Sequence, residues 1–252
     1  MEKLTSRKNA YITHIRRLAS ESEYRRESGE FVCDGLKLLE EATAAGRTIT
    51  SVLWKDEPDV EFSDLCYRQF CAADELFDYA SPLKNSPGPI FTVKIEPPGE
   101  KPIKNAIVLE NVQDPGNVGT VIRTANAFNI GAVILTGSCA DVYNPKTVRA
   151  TMGAIFRQRI SVMTTDELKT LLTAEGLPLY GAVLSATAVS INSLGLRNAA
   201  VAIGSEGRGL STEFRAICDG ELIIPMESNS ESLNAAAAAT VFMWEMYEGN
   251  NG

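Results

Sequence analysis

The stretch that decides the fold reads Asn111-Val-Gln-Asp-Pro-Gly-Asn-Val-Gly-Thr-Val-Ile-Arg-Thr-Ala-Asn126. An apolar run, residues 106–109, precedes it, and a second one, residues 132–135, follows. Short continuous runs of Val, Ile, Leu and Ala are typical of strands that are covered on both faces. Between them, turn residues lead into apolar residues at helical spacing. The stretch therefore predicts a strand, a loop, a helix and a second strand, and ligands commonly bind at the mouth of such a βαβ unit.

Two polar side chains at this mouth are candidate site residues. Asn117 is predicted to cap the helix, because its side chain can accept a hydrogen bond from a free helix N–H group. Arg123 lies in the second helical turn and can reach back toward the loop. Taken alone, Asn117 would be only a cap and Arg123 only a solvated helix residue.

Two later stretches share this character. The first reads Val201-Ala-Ile-Gly-Ser-Glu-Gly-Arg-Gly-Leu-Ser211 and predicts a strand that enters a glycine-rich loop. In the second, residues 223–226 predict a strand, a polar loop follows, and an alanine-rich helix is predicted over residues 232–248. The glycines alone would fit a tight turn or a phosphate-binding loop. However, no Gly-Lys-Ser/Thr follows them, and the dinucleotide fingerprint is also absent.

Together, and in this order, the three stretches resemble the SpoU/TrmH family of RNA ribose 2′-O-methyltransferases, within the knotted SPOUT superfamily. The resemblance runs from near Ala106 to Glu248. It implies an S-adenosylmethionine cofactor, a trefoil knot near the C-terminus, and a catalytic arginine at Arg123. That arginine would act as a base with help from an RNA phosphate, or would remain protonated and act electrostatically.

The resemblance also implies roles for further residues. The catalytic set would be Arg123, Asn117, Glu206, Ser232 and Asn234, with Asn117 orienting Arg123 and Glu206 pairing with a cationic group. Ser232 would equally serve as a helix N-cap, and Glu206 as a surface carboxylate. The cofactor-binding set would be Thr136, Gly137, Gly204, Ile224, Met226 and Leu233, on loops that follow three predicted strands.

Composition limits the other possibilities. A chain of 252 residues with 44% apolar residues allows one large or two modest domains. The net charge of −8 does not by itself indicate a nucleic-acid partner. Five cysteines without a C-x-x-C pair favour reduced thiols and a cytoplasmic location. The one histidine, His14, excludes a His-based triad in the C-terminal region, and we expect neither a metal site nor a membrane span.

The proline-rich residues 96–102 predict a boundary between two domains. Alternating predicted strands and helices indicate an α/β protein. With this boundary, the family resemblance implies an N-terminal RNA substrate-binding domain (1–96), a linker (97–104) and a parallel-sheet methyltransferase domain (105–252). Within the first domain, basic residues cluster near the end of a predicted helix over residues 9–19, and interspersed glutamates leave a plain solvated face as the alternative. The candidate RNA-binding residues are Arg16, Arg17, Arg25 and Arg26.

The leading functional prediction is methylation of a ribose 2′-hydroxyl in 23S ribosomal RNA. A tRNA ribose methyltransferase and a non-catalytic RNA-binding protein are the alternatives. The predicted helix over residues 232–248 is apolar on more than one side, which favours a homodimer. The alternative to a homodimer is that this helix is buried within a single chain.

Overall fold

The computed structural model describes residues 1–56, 68–99, 101–185, 187–227 and 232–250. Residues 248–250 are described by their backbone alone. The twelve strands of this described part are β1 Glu2–Leu4, β2 Glu30–Asp34, β3 Ile49–Lys55, β4 Gln69–Ala72, β5 Ile90–Lys94, β6 Ala106–Glu110, β7 Ala132–Thr136, β8 Ile160–Val162, β9 Leu179–Ala182, β10 Val189–Ser190, β11 Ala200–Ile203 and β12 Gly220–Ile223. Its α-helices are α1 Ala10–Ser20, α2 Ser22–Ser28, α3 Leu36–Ala44, α4 Asp74–Ala80, α5 Pro115–Ala127, α6 Pro145–Ala150, α7 Thr165–Glu175, α8 Thr212–Arg215 and α9 Ala235–Asn250.

The chain forms two units. Unit 1 comprises Met1–Pro97 and Asp141–Phe156, and unit 2 comprises Pro98–Ala140 and Arg157–Gly252. One segment thus differs from the predicted bounds, since residues 141–156 belong to unit 1, whereas the prediction placed them in the C-terminal domain. The reason lies in its side chains. Asp141 forms an ion pair with Arg25, and the rings of Tyr143 and Phe156 lie 4.8 and 6.3 Å from that of Phe31.

Unit 1 is built on a five-stranded sheet in the order β1-β4-β3-β5-β2. The pairs β1–β4 and β4–β3 are parallel, and β3–β5 and β5–β2 are antiparallel. The core includes the apolar residues of α1 and α4 together with residues of β2, β3, β4 and β5. The predicted α/β class is therefore seen here, and the helix predicted over residues 9–19 corresponds to α1. A helix predicted over residues 59–70 lies mostly outside the described residues, and its last two residues belong to β4.

Unit 2 contains a seven-stranded sheet in the order β10-β12-β9-β11-β6-β7-β8, and every strand pair in it is parallel. Every residue of β6 and β7 is buried, as continuous apolar runs predict. The C-terminal helix α9 packs against α5 and β11. The predicted βαβ unit is thus formed by β6, α5 and β7.

Two predicted bounds in unit 2 are wrong for local reasons. The strand predicted over residues 223–226 ends at Ile223, because Pro225 has no N–H group to donate to a neighbouring strand. The helix predicted from Ser232 begins at Ala235, because the side chain of Asn234 caps it by accepting from the N–H groups of Ala236 and Ala237.

Candidate active site at the carboxyl ends of β9, β11 and β12

A cavity of about 640 Å³ lies where three neighbouring strands of unit 2 end. Val183 and Leu184 line it after β9, Gly204 to Leu210 after β11, and Ile224 and Met226 after β12. Phe242 of α9 contributes an apolar wall. Loops at the carboxyl ends of parallel strands are the usual ligand-binding positions in such sheets. The fold therefore places a mixed surface of backbone groups and apolar side chains at this edge.

The loop after β11 folds back on itself. A Cβ atom on Gly204 would lie 2.0 Å from the carbonyl carbon of Gly209 and 2.2 Å from the nitrogen of Leu210. The N–H group of Gly209 donates to the carbonyl of Ser205 at 2.8 Å, and Gly209 has a φ of 65°. Only glycine fits at position 204, because any side chain would separate the two arms of the loop.

A buried carboxylate anchors the far end of the same loop. Glu110, at the end of β6, is 5% exposed. It accepts hydrogen bonds from the N–H and hydroxyl groups of Ser211, at 2.9 and 2.6 Å. The Ser211 hydroxyl in turn caps α8 by accepting from the N–H group of Phe214. Sequence reasoning missed Glu110, although a carboxylate directly after four apolar residues was the available signal.

Hydrogen bonds between side chains join the three motifs. Asn117 donates through Nδ2 to Oε1 of Glu206, and its Oδ1 accepts from Nδ2 of Asn234 at 3.0 Å. The Oδ1 atom of Asn234 accepts from two N–H groups of α9, which fixes the orientation of the amide. One continuous chain of bonds thus runs from the start of α9, through α5, to the glycine-rich loop.

The cap of α5 is Asp114, and the prediction of Asn117 as the cap is wrong. Oδ1 of Asp114 accepts from the N–H group of Asn117 at 2.8 Å, and Pro115 occupies the first turn, where its missing N–H group has no consequence. The predicted pairings of the site residues also change. Asn117 is bonded to Glu206 and Asn234 and not to Arg123, and Glu206 accepts from an amide where a cation was expected.

Arg123 lies on α5 with its side chain exposed. It makes no hydrogen bond or ion pair with any residue that the structure describes. None of the five N–H donors of the guanidinium group is therefore bound by a described residue. Ser232, also exposed, lines the cavity together with Glu206.

The structure places four of the six predicted cofactor-binding residues on the cavity, namely Gly204, Ile224, Met226 and Leu233. It places Thr136 and Gly137 elsewhere, beside Asn111. The Thr136 carbonyl accepts from the Asn111 N–H group at 3.2 Å. The order of strands explains this: β6 separates β7 from β11, whereas β9 lies between β11 and β12. The third loop of the cavity is consequently the one after β9, whose Val183 and Leu184 the sequence analysis left unassigned.

Neither cysteine of unit 2 is suited to nucleophilic chemistry. Burial, followed by the nearby charge of Asp219, raises the pKa of Cys218 to about 11. Burial also raises the pKa of the Cys139 thiol. Nucleophilic cysteines need a lowered pKa, because the thiolate is the reactive form. Transfer by way of either thiol is therefore disfavoured.

Within the described residues, no cluster of three or more His, Cys, Asp or Glu side chains is arranged to hold a metal ion. In the same part of the chain, no helix has both the length and the apolar character that crossing a bilayer requires.

The candidate RNA-binding arginines of unit 1 have different environments. Arg25 is 3% exposed and donates through Nε and Nη2 to Asp141, at 3.0 and 2.5 Å, so the structure argues against its prediction as an RNA contact. Arg17 is bonded to Glu21 and lies over the ring of Tyr24. Arg16 and Arg26 are exposed.

Comparison with known proteins identifies the family. The sequence profile of the SpoU rRNA Methylase family matches residues 104–244. A Bacillus subtilis (strain 168) protein named 23S rRNA (guanosine(2553)-2′-O)-methyltransferase RlmP is 31% identical, over 98% of this chain and 99% of its own. The chain belongs to the SpoU rRNA methylase family. A solved structure, the AdoMet-bound rRNA methyltransferase from Sinorhizobium meliloti, is 26% identical with a TM-score of 0.86, and covers 98% of this chain and 97% of its own.

The resemblance inferred from the three motifs is thereby confirmed, as are the α/β class and the parallel sheet. As a member of this family, the protein is an S-adenosylmethionine-dependent RNA 2′-O-methyltransferase. The cavity fits that cofactor on two counts. Its volume lies within the range of roughly 300–1,000 Å³ that is usual for small-molecule sites. Its lining combines apolar side chains with loop backbone that Gly204 allows to approach closely.

Proposed function

We propose that this SpoU methylase transfers a methyl group from S-adenosylmethionine to a ribose 2′-hydroxyl of 23S ribosomal RNA. The observation that carries the proposal is the bond chain from Glu206 through Asn117 to Asn234, which joins all three family motifs beside the cavity. A degenerate, non-catalytic protein would have no need to keep these three side chains together. The similarity to RlmP over nearly the whole chain, unit 1 included, favours ribosomal RNA over tRNA.

The protein's contribution to this reaction is mainly positioning. When bound, S-adenosylmethionine supplies a methyl group that is already activated by its sulfonium sulfur. The backbone of the loops at Gly204 and Ile224 would hold the cofactor, and Leu210 and Phe242 would exclude water from the cavity. Asn117 and Asn234 hold the glycine-rich loop in position at the cavity through Glu206. Holding two reactants in line can account for several kcal/mol of a reaction barrier, about 7–11 in favourable cases.

Arg123 is the residue that we assign to the RNA. A guanidinium group remains protonated in proteins, and its planar donors match a phosphate. Since the described part of the structure binds none of these donors, they are free to hold the phosphate beside the target ribose. The same positive charge stabilises the 2′-oxygen as it loses its proton.

We propose that unit 2 also carries the family's trefoil knot and forms a homodimer. For the knot, the support is the packing of α9 against both α5 and β11. For the dimer, it is the side of α9 that faces away from the core. Val241, Trp244 and Tyr247 on α9 are 37%, 46% and 38% exposed, and both aromatic rings contact Phe128. An exposed group of large apolar side chains usually marks an interaction surface. A ribosomal RNA substrate would place the enzyme in the cytoplasm.

Methyl transfer to purified RNA tests the proposal. The enzyme is incubated with labelled S-adenosylmethionine and either unmodified 23S rRNA transcript or unmodified tRNA. The modified nucleotide is then mapped by its resistance to alkaline cleavage. We expect label at a single ribose of the 23S transcript. Label in tRNA alone would show that the substrate is tRNA and not ribosomal RNA. Label in neither RNA would contradict the proposed function.

A further inference from the structure

A cleft in unit 1 concentrates positive charge. Its volume is about 480 Å³, and the cations on its lining are Arg7, Arg16, Arg17 and Lys146. Among its described lining residues the one carboxylate is Glu21, which Nε and Nη2 of Arg17 bind at 3.0 and 2.9 Å. The whole chain carries a net charge of −8. Because Arg17 and Glu21 neutralise each other, the charges of Arg7, Arg16 and Lys146 remain and reverse the sign of the charge locally, as an anion-binding surface requires.

An aromatic ring orders two of these cations. The guanidinium carbon atoms of Arg16 and Arg7 lie 4.0 and 4.7 Å from the centre of the Tyr79 ring. Arg16 also donates through Nη1 to the carbonyl of Tyr79 at 2.6 Å. Stacking on a ring orients a guanidinium group while leaving donors free at its edge. Such a plane can stack on an unpaired base as well as bind a phosphate.

The fourth cation comes from a distant part of the sequence. Lys146 lies on α6, within the segment of residues 141–156 that packs in unit 1. Bonds of Asp141 to Arg25 and of Thr147 to the Asp141 carbonyl hold the segment in place. Lys146 itself is exposed and forms no ion pair with the described residues. The ion pair between buried Arg25 and partly buried Asp141 thus helps to hold the segment that carries the exposed Lys146.

We propose that this cleft binds the sugar-phosphate backbone of the RNA substrate, outside the nucleotide that is methylated. Arg7, Arg16 and Lys146 bind phosphates, and the stacked guanidinium groups on Tyr79 contact an unpaired base. The proposal rests on the proposed function, because it takes the ligand to be that substrate. It also changes the predicted set of RNA-binding residues. Arg25 and Arg26 are left out because neither lines the cleft, and Arg7 and Lys146 are added.

The test compares two triple variants of the full-length protein. One is Arg7→Gln, Arg16→Gln and Lys146→Gln. Its matched control, Lys37→Gln, Lys84→Gln and Lys94→Gln, removes the same charge from exposed lysines of unit 1 that do not line the cleft. Affinity for the 23S transcript is measured by filter binding over a range of salt concentrations. Methyl transfer and cofactor affinity are measured with the same preparations.

We expect the cleft variant to reduce the slope of log K against log salt by about 2, since each lost phosphate contact removes roughly 0.7–0.9. Its KM for RNA should rise about tenfold or more, while kcat and cofactor affinity stay unchanged. The control should leave the slope within about one contact of the wild type. The single variant Lys146→Gln breaks no bond of its side chain within the described residues and should still remove about one contact.

Equal losses of RNA affinity in the two triple variants, or no loss in either, would contradict the proposal that the cleft binds RNA. This holds whether or not the RNA is methylated. The failure of the proposed function has a different signature. In that case the two variants still differ in RNA binding, but the wild type methylates no ribose of the transcript. A wild-type protein that does not bind ribosomal RNA at all would overturn both.

Discussion

Arg123 and Asn117 lie on the same helix, yet they have opposite environments. Asn117 uses both ends of its amide within the protein, whereas Arg123 uses none of its donors with a described residue. A cationic side chain in a family motif that no described residue binds is available to a ligand. We therefore expect Arg123→Ala to lower kcat by about 10²–10³-fold, the usual effect of removing a group that stabilises developing charge.

Arg123→Lys should also be impaired, because an ammonium group lacks the planar pair of donors. Cofactor affinity, measured by calorimetry, should be unchanged in both variants. The control is Lys169→Ala, which removes an exposed cation from α7 of the same unit. Turnover of either Arg123 variant close to that of the control would remove the residue from the mechanism.

The amide of Asn117 cannot be exchanged for a carboxylate. In Asn117→Asp the donor to Glu206 is lost, and two negative charges come into contact. We expect cofactor affinity to fall by about tenfold, or 1–2 kcal/mol, because the glycine-rich loop loses its support. Asn126→Asp makes the same change on α5 at a side chain without a described bond. If calorimetry gives equal affinities for the two variants, the bond chain does not hold the loop.

Arg25 shows how burial can reverse an interpretation made from sequence. Its place among other arginines predicted an RNA contact, but its guanidinium group is 3% exposed and bound to Asp141. Removing one partner of a buried ion pair is costly, so Asp141→Ala should destabilise the protein by about 3–5 kcal/mol in urea unfolding. Glu21→Ala, which breaks the exposed pair with Arg17, should cost about 0–1 kcal/mol. Similar values for the two variants would contradict the assignment of Arg25 as a structural residue.

At the scale of elements, the apolar runs were sufficient to predict β6, α5 and β7, because fully buried strands leave a strong signal. The order of the strands was not predictable in the same way. Thr136 ends β7, a correctly predicted strand, and Gly137 follows it, but the cavity lies at the ends of β9, β11 and β12. Adjacency in a sheet depends on long-range pairing, which the local pattern of a single sequence does not encode.

The glycine-rich loop was recognised from the sequence, but the separate roles of its glycines appear only in three dimensions. A Cβ atom at position 204 would collide with the backbone of Gly209, whereas one at Gly207 would meet nothing within 4 Å. Gly204→Ala should therefore distort the loop and abolish measurable cofactor binding. Gly207→Ala, which adds the same methyl group three residues later, should bind the cofactor nearly as the wild type does. Calorimetry on both variants checks this, and normal binding by Gly204→Ala would show that the loop adapts.

At the scale of the whole molecule, the net charge of −8 gave no indication of the basic cleft in unit 1. Composition averages over the surface, and Lys146 reaches unit 1 only because residues 141–156 return to it. The segment was predicted as part of the C-terminal domain, since its sequence follows β7 directly. The sequence pattern could not predict contacts between residues far apart in sequence, such as the Arg25–Asp141 pair.

The same limit applies to the apolar C-terminal helix. Its pattern predicted two packing partners, the core of its own chain and a second subunit, but did not show which side of the helix packs against each. In the structure, Phe242, Met243 and Met246 are buried, and Trp244 is 46% exposed. The rings of Phe128, Trp244 and Tyr247 form an aromatic surface in which Trp244 is the most exposed on α9, and we expect a second copy of the chain to cover Trp244.

Trp244→Glu should place a charge at the centre of that interface and convert a dimer into a monomer. Val162→Glu is the matched control, because Val162 is 71% exposed and lies at the opposite edge strand of the sheet from β10. Light scattering coupled to size-exclusion chromatography at micromolar concentration distinguishes the two states. A wild-type monomer, or a Trp244→Glu protein that is still dimeric, would assign this aromatic surface to another partner. A monomeric variant with normal cofactor affinity but no methyl transfer would show that the reaction needs both copies.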